Sequence, residues 1–318
     1  NDEWWGKGFT EWTNVAKAKR LFIGHYQPKI PADLGFYDLR VPEVREQQAE
    51  LAREAGVDGF CYWHYWFGNG KELLDRPFKE VLASGKPDFP FCLGWANESW
   101  ESKIWNSENN KNKKILIEQT YPGEEDTINH FYSLIEAFKD ERYIKINNCP
   151  VFIIYRPLNH PDIQHFMTKW NELINKEKIA SSFYFIANTT DFEYSKMESL
   201  RFTAAIISPG ERMYEAYKDK NIFYRALHYF FRLTIKLPLL ISYKNFIKYL
   251  WKPTIDSKDF VIPTLLPNWD HSPRSNKMCP IITNSTPSLF KEHCLQVLNG
   301  IKEKKNKLVI LKSWNEWG

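Results

Sequence analysis

Seven short, almost uninterrupted apolar runs recur along the chain, at residues 57–66, 89–97, 151–155, 183–187, 204–207, 260–266 and 308–314. Strands that are apolar at nearly every position, rather than every second one, belong in a sheet covered on both faces, the parallel arrangement of α/β proteins. Amphipathic helical patterns fall between most of them, at 42–55, 76–84, 124–139, 162–178 and 288–303. The first is closed by Gly56, a helix C-cap signal. This alternation predicts the α/β class and a (β/α)8 TIM-type barrel, with its first strand before Asn1 and the end of its last βα loop beyond Gly318. A doubly wound sheet is the rival, but the chain lacks the G-x-G-x-x-G turn of that fold. With 318 residues, 43% of them hydrophobic, the chain can bury a sizeable core. No repeat or low-complexity linker interrupts it, so residues 1–318 read as one barrel domain.

In such a fold the chemistry gathers where strands end. Ser313-Trp314-Asn315-Glu316-Trp317-Gly318 sets a carboxylate between two indoles just past the last run, with an amide beside it. Gly94-Trp95-Ala96-Asn97-Glu98-Ser99-Trp100 repeats the pattern. Making or breaking a glycosidic bond requires one carboxyl to handle the leaving oxygen and another to assist at or beside the anomeric carbon. The aromatic content, 16% with 13 Trp, exceeds what a core needs, and such rings stack on sugar faces. We therefore read Glu316 as base or nucleophile-equivalent, Asn315 as its orienter, Glu98 as the fallback acid and Asn97 as a hydroxyl contact. The plain alternative makes each Glu a solvated or salt-bridged loop residue.

Further strand-end residues are candidates for the sugar subsites. Tyr62, His64 and Trp66 alternate with Trp63 and Tyr65, so one set can face the barrel mouth. Trp269, Asp270 and Arg274 follow the run 260–266 and offer a ring, a carboxylate and a guanidinium; Trp95 and Trp314 complete the set. His64 read alone is a satisfied core histidine, and Arg274 read alone pairs structurally with Asp270.

Other chemistries find less support. Asp191-Phe192-Glu193 is the nearest approach to a D-x-D triplet, and neither H-E-x-x-H nor G-x-S-x-G occurs, so no metal or other cofactor is expected. A formal charge of +4 gives no reason for a nucleic-acid partner. The five cysteines form no C-x-x-C pair; Cys61 and Cys92 read as small buried hydrophobes, in keeping with a reduced, cytoplasmic setting. Residues 212–252 break the rhythm, being long, basic and aromatic. They read either as an expanded loop that contacts anionic lipid or as an outer-ring helix with a basic edge.

The quoted motifs also carry a resemblance. Trp4-Trp5-Gly6-Lys7-Gly8-Phe9-Thr10-Glu11-Trp12, His25-Tyr26-Gln27-Pro28, Pro31-Ala32-Asp33-Leu34-Gly35-Phe36-Tyr37-Asp38, the stretch 56–67, Trp95-Ala96-Asn97-Glu98, the stretch 269–274 and Trp314-Asn315-Glu316-Trp317 resemble the WbsX-type glycosyltransferase family. That family is similar to glycoside hydrolase family 99, the endo-α-mannosidases. The resemblance implies a (β/α)8 barrel, a bacterial origin, and work on O-antigen or capsular polysaccharide with a glycan or lipid-linked oligosaccharide as substrate. It also implies that Glu316 is the carboxylate acting as base on a 2-hydroxyl, with the acid three positions on, beyond Gly318. Transfer, endo-acting hydrolysis and non-catalytic glycan binding stay open.

Overall fold

The computed structural model describes residues 7–101, 115–275 and 279–315. They form two compact units, one of residues 37–101 and 115–205, the other of residues 7–36 and 206–315.

In the unit of residues 37–101 and 115–205 the strands are β1 (Phe60–Trp66), β2 (Glu72–Leu73), β3 (Phe91–Trp95), β4 (Trp100–Glu101), β5 (Ile115–Ile117), β6 (Lys145–Ile146), β7 (Cys149–Ile154) and β8 (Tyr184–Thr189). β8, β7, β3 and β1 lie side by side in parallel, with Phe60 opposite Phe91 and Leu93 opposite Phe152. β2 and β6 add antiparallel edges to β1 and β7. All five positions of β3 are buried, which is the both-faces-covered state that its unbroken apolar run demands.

The helices between the strands follow their sequence signals. Pro42–Glu54 starts with proline in its first turn and closes at Gly56, whose φ of 76° is open to glycine at little cost. Ile163–Lys176 is capped by Asp162, whose carboxylate accepts from the His165 N–H at 3.0 Å. Its buried face carries Phe166 and Trp170, and the Trp170 ring centroid lies 4.7 Å from those of both Phe152 and Phe166. The pattern 124–139 is two helices, Glu124–Ser133 and Ile135–Lys139. The Ser133 hydroxyl takes the His130 carbonyl at the break, competing with the helical ladder.

β9 (Ala204–Ile207) carries the chain onward. The other unit holds β10 (Leu239–Ser242), β11 (Val261–Ile262), β12 (Thr264–Leu265), β13 (Pro280–Thr283) and β14 (Ile310–Leu311). β10 pairs with β13 and β12 with β14, both in parallel. The single run 260–266 is split at Pro263, which has no N–H for a ladder, although its carbonyl accepts from Ile310 N at 3.0 Å. Met213, Leu239, Ile241, Tyr243, Phe246 and Ile282 belong to one buried cluster.

Residues 212–252 are therefore not one loop. They run through the helices Gly210–Lys218, Ile222–Thr234 and Tyr243–Leu250, with β10 among them. Nor is their first cation a surface charge. The Arg212 guanidinium, 3% exposed, forks onto the fully buried Asp256 carboxylate at 2.8 and 3.1 Å and also donates to the Leu250 carbonyl at 2.7 Å. Lys304, itself buried, donates to the Asp256 and Val261 carbonyls. Removing one partner of such a pair strands the other charge in low dielectric. Arg212→Ala is expected to cost about 3–5 kcal/mol of stability. The Arg212→Met, Asp256→Leu double variant should lose less, because neither member of the ion pair is left behind without the other. Urea denaturation of the two variants checks this; equal losses would remove the ion pair from the account.

Candidate active site

β12 and β14 are parallel neighbours, Leu265 opposite Leu311, so their C-terminal ends open on the same side. The Lys312 N–H donates to the Leu265 carbonyl at 2.9 Å, the last rung before both chains leave the ladder. From β12 the chain continues through Pro267, Asn268, Trp269 and Asp270. From β14 it turns at Ser313, φ 68°, into Trp314 and Asn315.

Asp270 is the hub of this region. Its side chain is only 3% exposed, yet it is well supplied with donors. Oδ2 accepts from His25 Nε2 at 2.9 Å and from Gln27 Nε2 at 2.8 Å, with Lys29 Nζ at 3.6 Å; Oδ1 accepts from the Ser272 N–H at 3.0 Å. His25 Nδ1 accepts from the Leu21 N–H at 3.1 Å, so Nε2 is the nitrogen that carries the proton toward Asp270. The His25 ring also stacks on Phe22, 4.6 Å between centroids. Burial is the largest single influence on Asp270 and would push its carboxyl up. The Ser272 hydrogen bonds, the Lys29 charge and the His25 bond outweigh it and hold the group below its ordinary value. Asp270 is thus a charged organiser of the N-terminal segment, a role unlike that of a proton donor.

Beside this hub lies a cavity of about 370 Å³, within the range of about 300–1,000 Å³ common for small-molecule sites. Tyr26, Lys29, Ile30, Asn268, Trp269, Asp270, His271, Ser313 and Trp314 line it. The Trp269 indole stacks on His271 at 5.8 Å and packs against the buried cluster around Phe246, which fixes its orientation. Of the sequence candidates, the structure thus brings Trp269, Asp270 and Trp314 together. Asn315 follows, half-buried. Arg274 sits in the short helix Ser272–Ser275 and is not among the lining residues, and the donors to Asp270 are His25, Gln27 and Ser272 with Lys29 nearby. Glu316 lies outside the described residues, as do Trp4, Trp5 and Trp317. Sequence reasoning gave no role to Tyr26, Lys29 or Asn268. One signal was available: His25, Gln27 and Lys29 alternate, so an extended segment sends all three to one side.

The other unit holds the remaining candidates, and there the outcome differs. β1 turns Tyr62, His64 and Trp66 toward helices rather than toward open space. Tyr62 packs on Phe78 and Phe91, and burial pushes its phenol up to about 12. His64 meets His130 on the helix Glu124–Ser133, Nε2 to Nε2 at 2.9 Å, and Trp66 stacks on His130 at 4.8 Å while its Nε1 donates to Asp126 at 3.0 Å. The exposed ring of this strand is Trp63, 45% accessible, edge-on to Tyr155 at 5.4 Å. It lies across Gly94, where any Cβ would come within 3.0 Å of the indole. Alternation alone left the choice of face open; the covering helices decide it.

Trp95 is buried against Tyr121, His130 and Phe166, and its Nε1 donates to the Trp66 carbonyl. Asn97, fully buried, donates to the Arg156 carbonyl at 2.8 Å and to Tyr121 Oη at 3.1 Å and accepts from the Arg156 N–H at 2.8 Å. It brackets the ends of β3 and β7. Glu98 is 43% exposed and accepts from Arg156 Nε at 3.1 Å.

The buried imidazoles carry a pH dependence. Burial drives His64 down to about 3 and His130 well below its ordinary value. In the unfolded chain both take protons near pH 6.5. The unfolded state therefore binds more protons than the folded one between about pH 6.5 and 3, so stability is complete above that window and is lost as pH falls through it. Asp270, also lowered, adds a loss of the same sign at the acid end. The denaturation midpoint is expected to drop on acidification below about pH 6.5. A His64→Phe, His130→Phe variant should flatten the upper part of that limb; an unchanged pH profile would exclude the pair as its source.

A sequence profile of the family described as Glycosyltransferase WbsX matches residues 1–318. The Uncharacterized protein WxcX of Xanthomonas campestris pv. campestris, in two strains, is 29% identical over 333 and 321 residues, which is all of this chain and 44% of that protein. The chain thus spans a little under half the length of these curated relatives. Among solved structures, a glycoside hydrolase-like protein superposes with a TM-score of 0.61 at 15% identity, covering 91% of this chain and 80% of its own. The GH99 endo-alpha-mannosidase from Bacteroides thetaiotaomicron gives 0.50 at 12% identity, covering 91% and 71%. These likenesses show a shared mixed α/β fold with a parallel sheet. The match of the whole sequence shows the family: the chain belongs to the WbsX glycosyltransferases.

Proposed function

We propose that the protein is a carbohydrate-active enzyme that makes glycosidic bonds of a bacterial surface polysaccharide such as O-antigen or capsule. The observation that carries this reading is the cavity at the ends of β12 and β14. Three aromatic rings (Tyr26, Trp269 and Trp314) and the cation Lys29 line it, and Asn315-Glu316 follows Trp314 directly. Rings hold the apolar faces of a sugar, and a strand-end carboxylate acts on its hydroxyls or anomeric carbon. In this reading residues 1–318 belong to one (β/α)8 barrel domain, and Glu316 is the base, oriented by Asn315. Trp269 and Trp314 are stacking walls, and Asp270 positions Lys29 and the 25–29 segment. The acceptor is a lipid-linked oligosaccharide at the cytoplasmic membrane face. No helix among the described residues is long and apolar enough to cross a membrane. The exposed Trp63–Tyr155 pair is a second sugar platform in the proposal.

Endo-acting hydrolysis is the second reading, favoured by the fold shared with the endo-α-mannosidase. Assays on the full-length protein separate the two: transfer elongates an acceptor, whereas hydrolysis releases new reducing ends. Either way Glu316→Gln is expected to lower turnover by about 10²-fold or more while leaving glycan binding intact, because the amide keeps shape but cannot take a proton. Trp269→Ala should instead weaken glycan binding, read by titration calorimetry. Turnover of the Gln variant comparable to the parent would remove Glu316 from the mechanism. Glycan binding without turnover in the parent protein would favour a binding barrel.

A further inference from the structure

We propose that the helix Ile222–Thr234 is a docking element that seats the protein on an anionic lipid surface. The fold narrows the basic segment to this one helix. Arg212 is spent in the core, and β10 and the helix Tyr243–Leu250 bury Leu239, Ile241, Phe246 and Ile247. In Ile222–Thr234 only His228 is buried.

Its apolar stripe faces outward. Phe223, Leu227 and Phe230, at helical spacings of four and three, are 80%, 56% and 56% exposed, and Leu233 continues them at 64%. A helix of a soluble domain ordinarily turns such a stripe to the core. A contiguous apolar surface left in water marks an interaction site. The stripe is not awaiting burial by a roll of the helix, because the opposite side is fastened. His228 Nε2 meets the Pro238 carbonyl at 3.0 Å and Nδ1 meets Tyr217 Oη at 3.0 Å, while Arg225 donates to the Lys218 carbonyl at 3.0 Å.

Charge selects the occupant. Residues 218–236 hold five cations, Lys218, Lys220, Arg225, Arg232 and Lys236, against the single acid Asp219. Arg225 and Arg232 are seven apart and lie on the polar face, away from the stripe. A helix lying flat with its stripe in the acyl boundary and its cations on the other face is the arrangement of an interfacial helix, and the excess positive charge of the segment attracts anionic headgroups. A second copy of this chain packing stripe to stripe would instead bring two basic surfaces together. The purpose this gives the helix rests on the reading of a lipid-linked acceptor; the lipid contact does not, and is measured without glycan.

The test is flotation of the full-length protein with vesicles of phosphatidylcholine alone and of phosphatidylcholine with phosphatidylglycerol, at low and high salt. Binding is expected to the anionic vesicles, weakened by salt as exposed charges are screened over about 8 Å at physiological ionic strength. Arg232→Gln should weaken it about fivefold. Leu227→Glu with Phe230→Glu should abolish it with the thermal midpoint unchanged, since both side chains are exposed. Turnover on a soluble acceptor should be the same in that variant as in the parent. Absence of parent binding to anionic vesicles at low salt, or equal binding by the double variant, overturns the proposal. So does a dimer in light scattering that the double variant dissolves, which would assign the stripe to a second copy. Loss of turnover on every glycan with vesicle binding retained would sink the catalytic reading and uphold this one.

Discussion

One buried carboxylate holds the candidate site together. Asp270 costs free energy to desolvate, and the structure offsets that cost by bringing donors from residues far away in sequence, His25, Gln27 and Lys29, onto its two oxygens along with the Ser272 N–H. Residues 18–41 contain no helix or strand, so ladder hydrogen bonds do not order them. Side-chain bonds to a fixed charge do so instead, and they set Tyr26 and Lys29 beside Trp269 and Trp314. The cavity is in this sense a consequence of satisfying Asp270.

The two units stabilise themselves by different means. Around β7 and β8 the interior is aromatic, with Phe131, Phe138, Phe152, Phe166, Trp170 and Phe183 in mutual edge and tilted contact. Such contacts add about 0.5–1.5 kcal/mol per pair to area burial and leave no polar atom in need of a partner, apart from the Trp170 N–H, which reaches the Thr127 carbonyl. The other unit instead buries Arg212 and Asp256 with Lys304 beside them, so its interior depends on complete pairing. Apolar cores tolerate substitutions that keep volume, whereas a buried ion pair fails when one member is lost.

The chain's repeated pattern of tryptophans and carboxylates is divided by the fold into separate tasks. Trp95 and Asn97 are walled in and join strand ends, while Trp63 stays open on the opposite face of β1. Trp269 and Trp314 border open space next to a charged group. A tryptophan at a strand end is therefore no guide to ligand contact until its covering elements are known, because alternation sends neighbouring side chains to opposite faces with no preference between them.

The sequence alone determined that the chain is an α/β protein, because unbroken apolar runs admit only a doubly covered sheet and 3.6-residue patterns between them admit only helices. The helices Pro42–Glu54 and Arg76–Ser84 and the strand Ala204–Ile207 stand where periodicity and caps put them, within a residue. It also pointed to Trp269, Asp270 and Trp314, since strand ends are where parallel folds expose functional groups. Tertiary structure decided what depends on contacts between residues distant in the chain. It split 260–266 at Pro263 by the ladder that β14 forms with β12, and it turned Tyr62 and His64 inward by packing the helices Arg76–Ser84 and Glu124–Ser133 on that face. It also drew Arg212 out of a basic surface into the core by supplying Asp256. Local patterns encode periodicity and chain direction; which of two equivalent faces is covered, and which charge finds its partner, is settled only when the elements meet.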